Sequence, residues 1–344
     1  MKESERSEIV KVNIKAISEV TGFSPATISN ALNHKKGVNR ETATEIFRVA
    51  KELGYISESS ITKIKLVMYK ENGLIVEDTP FFSLMINGFE KECRAFGYEM
   101  VICYIDRRSH DFEEQVKWIL NDTTAAVTLL GTELMDEDIE MFKGAKCPFL
   151  TLDYWDADMS LNGVLINNAD SARMAVDYLI NRGHKRIGYL KGSFRIKAFR
   201  SRAVGFQTSM NKHNLEINKR YLITLRTTME GAYKDMADYL QTKPELPTAF
   251  FADNDMIALG AMKALQEFGY KIPEDISIIG FDDLPFSEIA SPRLTSLRVP
   301  KQEMGQLAVR RIIEMIKYGD DMRTKIQVCP DFVERDSVRT IYEN

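Results

Sequence analysis

The sequence predicts an α/β protein: three short helices at the N-terminus, then a larger core of doubly wound parallel sheet in two units. Three observations lead there. Residues 13–33 hold two short amphipathic stretches on either side of Gly22. From Ile64 onward, short apolar runs alternate with amphipathic helical stretches, which is how parallel strands with crossover helices read. At 344 residues the chain exceeds one ordinary domain, and a single sheet taking every predicted strand would be very wide.

The first helix starts at Asn13, a capping residue type, and carries Ile14, Ile17 and Val20 on one face. Ser24 caps the second, and Pro25 at its first position loses no hydrogen bond. Ile28 and Leu32 form its apolar face, with Phe23 between the two helices. Asn39 caps a third helix with an Ile46, Val49 and Leu53 stripe; Gly54 suits a left-handed C-terminal residue, and Tyr55 can fold back on the bundle. Two short helices around a Gly turn, with a third behind them, are the pattern of a helix-turn-helix DNA reader. The second helix leaves small and amide side chains outward (Ala26, Thr27, Ser29, Asn30, Asn33), which permit close approach to a groove and hydrogen bonds to base edges or phosphates.

Charge agrees with a DNA role confined to this head. Residues 1–57 carry nine Lys/Arg against seven Asp/Glu, about +2, while the whole chain is at −4. The excess is small, so attraction to phosphate depends on where Lys15, Lys35, Lys36, Arg40 and Arg48 are placed. Cys93, Cys103, Cys147 and Cys329 have no paired spacing and the four histidines are scattered, so neither a zinc site, any other metal site nor a disulfide framework is expected. No apolar run suits a signal peptide or a membrane span, which predicts a cytoplasmic protein. No Gly-x-Gly-x-x-Gly, Gly-Lys-Ser/Thr or Gly-x-Ser-x-Gly occurs, so no enzyme activity and no cofactor are expected.

In the core, strand-like runs at Lys65–Tyr69, Met100–Tyr104, Ala125–Leu130 and Cys147–Leu152 are interleaved with helical stretches Phe82–Phe96 and Asp111–Leu120. The alternation resumes with Ala169–Asn181, Arg186–Leu190, Ala203–His213, Ala249–Ala252, Met256–Phe268 and Ile276–Phe281. Two doubly wound units, each with ligand-facing loops at the carboxyl ends of its strands, accommodate them.

The ordered set Asn13 to Asn33, Glu52-Leu53-Gly54-Tyr55, Thr79-Pro80-Phe81-Phe82, Arg182-Gly183-His184-Lys185-Arg186-Ile187-Gly188-Tyr189-Leu190, Asn254-Asp255-Met256-Ile257-Ala258-Leu259-Gly260-Ala261 and Pro273 to Asp283 resembles the LacI/GalR transcriptional regulators. The match runs from about Val12 to Val338. The resemblance implies a periplasmic-binding-protein-like core of two subdomains crossed three times by the chain, near Val164, Thr295 and Val328. The expected boundaries are a head at 1–57, a linker at 58–63, an N-subdomain of 64–163 plus 296–327 and a C-subdomain of 164–295 plus 328–344. It implies a bacterial, nucleoid-associated homodimer that reads operator DNA, represses transcription, and is controlled allosterically by a small molecule, most readily a sugar, bound between the subdomains. Two identical heads suit a near-palindromic site.

Residue by residue, the resemblance assigns DNA contacts to Asn13, Ile14, Pro25, Ala26, Thr27, Ser29, Asn30, Asn33, Asn39 and Thr42. It assigns the effector to Asp153, Arg200, Asn254 and Asp282, with Phe81 and Phe82 as an aromatic wall. Such groups suit a sugar, whose neighbouring hydroxyls ask for paired hydrogen bonds and whose C–H face asks for a ring.

Two departures stand out. The family's hinge helix is cut short, since Ile56 to Lys63 leads almost at once into the first core strand; the head is then expected to sit directly against the N-subdomain. Arg226 stands where relatives often carry a stacking aromatic, and Lys70 to Asp78 form a long insert before Pro80. Together these suggest a larger or acidic effector, and a purine, phosphorylated or acidic corepressor is the alternative to a sugar. A sugar-binding protein without a DNA role is the distant alternative.

Overall fold

A computed structural model describes residues 13–32, 38–55, 61–77, 80–318 and 322–341. The N-terminal bundle is α1 (Ile14–Thr21), α2 (Pro25–Leu32) and α3 (Arg40–Glu52). The Asn13 side chain accepts from the Ala16 amide and Gly22 closes α1 at φ 73°. Ser24 Oγ accepts from the Thr27 amide at 3.1 Å, and Asn39 Oδ1 from the Thr42 amide at 2.7 Å. Each cap satisfies an amide that the helix leaves orphaned. Ile17, Ile28, Ala31, Ile46, Val49 and Ala50 make a small core of their own, flanked by Phe23 and Leu53. Val20 does not join it: the side chain is exposed, because Ile14 and Ile17 already fill the face of α1 that meets α2 and α3.

The core has two parallel sheets. The first runs β11-β5-β4-β3-β1-β2, built from β1 (Lys63–Lys70), β2 (Glu99–Asp106), β3 (Ala125–Leu130), β4 (Phe149–Leu152), β5 (Asn162–Ile166) and β11 (Lys325–Val328). Its helices include α4 (Phe81–Ala95), α5 (Phe112–Leu120) and α11 (Lys301–Tyr318). The second runs β7-β6-β8-β9, from β6 (Ile187–Gly192), β7 (Leu222–Leu225), β8 (Ala249–Ala252) and β9 (Ser277–Ile279), with α6 (Asn168–Asn181), α7 (Lys197–Lys212), α8 (Met229–Gln241) and α9 (Asp255–Glu267) around it. Between them lies an antiparallel pair, β10 (Ser296–Arg298) with β12 (Asp331–Val333).

Strand β5 stays in the first sheet to Ile166, paired with β4 and β11. The first crossing therefore comes at Asn167, later than Val164, because the parallel ladder holds the chain until its last residue. The other two crossings pass through β10 and through residues 329–330, ahead of β12. Asp283 braces them, paired with Arg298 at 2.7 Å and Arg335 at 2.6 Å.

Within the first subdomain α4 and α11 touch backbone to backbone. A Cβ placed on Gly88 would lie 2.0 Å from the Gln302 carbonyl oxygen, and one on Gly305 would lie 2.2 Å from that of Met85. Only glycine permits this approach, and it brings α11 onto a helix more than two hundred residues earlier in the chain.

Candidate functional site

In the head, Pro25 and Ala26 are exposed and Thr27, Ser29 and Asn30 half-buried along α2. Asn13 and Asn39 are exposed, and Ile14 and Thr42 half-buried, at the starts of α1 and α3. Three of the polar groups are already engaged: Asn13 and Asn39 cap their helices, and Thr27 Oγ1 shares a 2.8 Å hydrogen bond with the Ser24 hydroxyl. Asn33, Lys35, Lys36 and the shortened hinge at 56–60 lie outside the described residues. Arg48 is tied to Glu45 and Glu52, each at 2.6 Å, so its charge is compensated on the head's own surface.

The second site lies where the carboxyl ends of the two sheets face each other. From the first subdomain comes Asp153, directly after β4, with φ 58° and only 7% exposed. Its Oδ2 accepts from Thr132 at 2.7 Å, while Oδ1 is buried with no hydrogen-bond partner among the described residues. Burial pushes this carboxyl up to about 6, against the Thr132 hydrogen bond and the charge of Arg202.

From the second subdomain come Asp282, Asn254 and Arg202. Arg202 is 3% exposed; its Nε donates to Asn168 Oδ1 at 2.8 Å, its Nη1 to the Asp253 carbonyl, and its Nη2 lies 3.5 Å from Asp282 Oδ1. The guanidinium also stacks 3.5 Å over the Phe281 ring. Burial raises Asp282 to about 6, opposed by Arg202 and Lys301 and reinforced by Asp153 and Asp253. Lys301 donates to the Asp282 carbonyl and sits 5.3 Å above the Phe81 ring. Asn254 caps α9, its Oδ1 accepting from the Ile257 amide at 3.0 Å. Beside it Asp255, fully buried, takes hydrogen bonds from Ser296, Ser287 and the Leu284 amide, and burial raises it to about 7. Phe81 and Phe82 are buried at the start of α4, edge to face at 5.1 Å.

Two expected residues are elsewhere. Arg200 is 56% exposed at the rim, 3.9 Å from Asp136. It stands two positions from Arg202, and two positions on a helix point to nearly opposite faces. Arg202 falls on the buried stripe Ala198, Phe199, Gly205, Phe206, Ser209 and Met210, and that spacing was the signal that distinguishes it from Arg200. Arg226 also faces out: Asp235 accepts from its backbone amide at 2.7 Å and from its Nη2 at 2.6 Å. The pair engages the guanidinium within the second subdomain, with the side chain still 55% exposed. Thr227, the next residue, is the one that faces inward, donating to the Leu74 carbonyl at 3.4 Å.

Lys197, at the start of α7, crosses between the subdomains. Its ammonium lies 2.7 Å from both Asp136 Oδ1 and the Trp155 carbonyl and over the Tyr154 and Trp155 rings. The two units are thus clasped together around a cluster of buried charge.

Comparison with known proteins agrees with this arrangement. Residues 176–338 match the periplasmic binding protein-like domain family. The chain is 28% identical over 331 residues to the HTH-type transcriptional repressor PurR of Mannheimia succiniciproducens, covering 95% of this chain and 99% of that one. It is 27% identical over 331 residues to the ribose operon repressor of Haemophilus influenzae, at the same coverage. The chain is similar along nearly its whole length to LacI/GalR regulators. Solved structures with this fold include a transcriptional regulator CelR in complex with cellobiose, at TM-score 0.72 and 23% identity over 95% of this chain and 99% of that one. Another is the lac repressor dimer bound to operator and the anti-inducer ONPF, at TM-score 0.71 and 21% identity with the same coverage. The curated relatives named are transcriptional repressors, and no described helix is long and apolar enough to cross a membrane.

Proposed function

We propose that this DNA-binding repressor is controlled by a sugar held in the cleft, with Asp153, Arg202, Asn254 and Asp282 as its polar contacts and Phe81 and Phe82 as the apolar wall. The observation that carries the reading is the unpaired Oδ1 of Asp153, buried opposite Arg202 and Asp282 from the other subdomain. Such an acceptor asks for a donor, and a sugar hydroxyl supplies one. The subdomains joined by Lys197 at one rim then give the effector a mechanical lever: a ligand that prefers the closed cleft shifts the open–closed equilibrium by its differential affinity.

The head acts through α2, with Pro25, Ala26, Thr27, Ser29, Asn30 and Asn33 toward the major groove and Asn13, Ile14, Asn39 and Thr42 toward the backbone. Two copies bring two heads to one operator in the cytoplasm, each with an N-subdomain near 64–166 plus 299–328 and a C-subdomain made of the rest. Relatives crystallised with cellobiose and with ribose support the sugar. The acidic-corepressor alternative is weakened by the pairing of Arg226 with Asp235, which already compensates its charge.

The test pairs two measurements on the full chain. Selection of DNA fragments from a random pool is expected to enrich a near-palindromic sequence, and a thermal-shift panel to give a rise with a neutral or amino sugar. A shift confined to purines would refute the sugar while leaving the regulator intact.

A further inference from the structure

The segment Glu71–Glu77 folds in an unusual way. Glu133, with none of its surface exposed, accepts five backbone hydrogen bonds from it. Oε2 takes the amides of Glu71, Asn72 and Gly73 at 3.0, 3.1 and 2.8 Å, and Oε1 takes those of Ile75 and Val76 at 2.8 and 2.9 Å. The Leu74 amide goes to Asn72 Oδ1 at 2.9 Å and that of Glu77 to the Gly73 carbonyl at 3.1 Å. Every amide from 71 to 77 is therefore consumed inside the loop. Ile75 and Val76 are buried in the main core, and the Leu74 carbonyl meets Thr227 of the other subdomain.

We propose that this loop is the effector-specificity element of the chain: clipped by Glu133 and reaching across the cleft to Thr227, it selects a donor-rich neutral or cationic ligand, such as a polyol or amino sugar, and rejects anionic ones. The inference rests on the cleft being the effector site. Anions bind where successive backbone amides point outward; here those amides point at Glu133 or close within the loop, and the loop offers carbonyl oxygens, aliphatic side chains and the carboxylates of Glu71 and Glu77. The surrounding charge gives an anion no compensation. Asp153, Asp253, Asp255 and Asp282 are buried there beside Arg202, Lys301 and the half-buried Arg195, and Arg195 and Arg202 are already engaged by Asp253 and Asp282. A carboxylate or phosphate would enter as an unpaired buried charge.

The test needs two readouts on the full-length protein. Hydrogen–deuterium exchange of the unliganded chain is expected to show residues 71–77 protected, and that protection lost in Glu133→Gln, which sets an NH2 donor against backbone amides where the carboxylate had an acceptor oxygen. Full-speed exchange in the parent chain would overturn the proposal without reference to any ligand. Calorimetric titration then compares glucose, ribose, cellobiose and glucosamine with glucuronate and glucose 6-phosphate. We expect the neutral or amino sugars to bind about tenfold or more tighter than the anions, and Glu133→Gln or Thr227→Val to narrow the ratio to about threefold. Tighter binding of an anion, or a ratio unchanged by either substitution, would overturn the selection rule while the sugar-derivative reading stands. Silence from every compound with the loop protected would overturn the sugar reading, and the selection rule with it.

Discussion

Phe47 of α3 stands edge-on to Phe96 at the end of α4, ring centroids 5.6 Å apart and planes inclined at 73°. The Lys317 ammonium, in the last turn of α11, lies 4.1 Å over Phe47 and 5.6 Å over Phe96. The head is thus seated on the two helices whose glycines interlock in the first subdomain, and a shift of α4 against α11 is felt directly at α3.

That contact predicts a separable joint. An aromatic pair contributes about 1 kcal/mol beyond its buried area, so Phe47→Ala should raise the undocked population of the head about fivefold. Limited proteolysis near residues 56–63 should accelerate by a similar factor while the core melts as before. An unchanged cleavage rate would show that the head is held by something else.

The two neighbouring arginines should behave oppositely. Arg202→Ala strands Asp282 and removes the partners of Asn168 and the Asp253 carbonyl, and breaking a buried ion pair costs about 3 kcal/mol or more. Arg200→Ala, on the exposed rim, should stay within about 0.5 kcal/mol of the parent. Urea denaturation of both variants checks the pair, and equal losses would contradict the placement of Arg202.

Stability should have a maximum in mildly acidic solution. Asp153 and Asp282, raised to about 6, and Asp255, raised to about 7, keep protons in the folded chain at pH values where the unfolded chain has released them. Folding stability therefore falls as pH rises from the ordinary carboxylate range near 4 toward 7. Asp106 and Asp122 act the other way: Arg108 and Lys65 hold them down to about 2, so their contribution is lost as pH falls below 4. Denaturant melts at pH 4, 5, 6 and 7 should show the decline on the alkaline side, and Asp282→Asn should flatten it. A stability that climbs steadily to pH 7 would contradict this.

Lys197 should govern how readily the cleft opens. Its bond to Asp136 is partly exposed and worth up to about 1 kcal/mol, so Lys197→Ala should shift the open fraction by two- to fivefold. Small-angle scattering of the unliganded protein should then give a larger radius of gyration than the parent, and an identical curve would mean that the clasp carries no load.

Much of this was legible in the sequence, for identifiable reasons. The head was, because Asn13, Ser24, Asn39, Gly22 and Gly54 mark helix ends chemically. So were β3 and β8, as continuous apolar runs of strands buried on both faces. Strands β7 and β12 were not, since each is short and partly exposed, and α11 was passed over because its apolar residues are diluted by charges that face α4 and solvent. The effector residues split the same way. Asp153, Asn254 and Asp282 follow strands and could be located by motif. Arg200 was assigned by resemblance alone, whereas the apolar spacing of α7 places Arg202, two positions on, on the buried stripe. The insert before Pro80 looked like extra room for a ligand; the buried Glu133, sixty residues away, folds it inward instead, and no local pattern announces such a partner.

The interlocked glycines also fix the order of events during synthesis. Residues 167–295 carry the whole second sheet and can begin to fold as soon as they leave the ribosome, with Arg182, Ile278 and Thr295 left to be joined by residues 337–341. The first subdomain cannot be completed then: β5 lacks its neighbour β11, and Gly88 faces an empty seat until Gln302 arrives. The sheet begun first thus waits for a strand near the end of the chain. A nascent chain stalled before residue 300 would display a bare helix face and an open sheet edge, the two surfaces that a chaperone or a second unfinished copy would recognise.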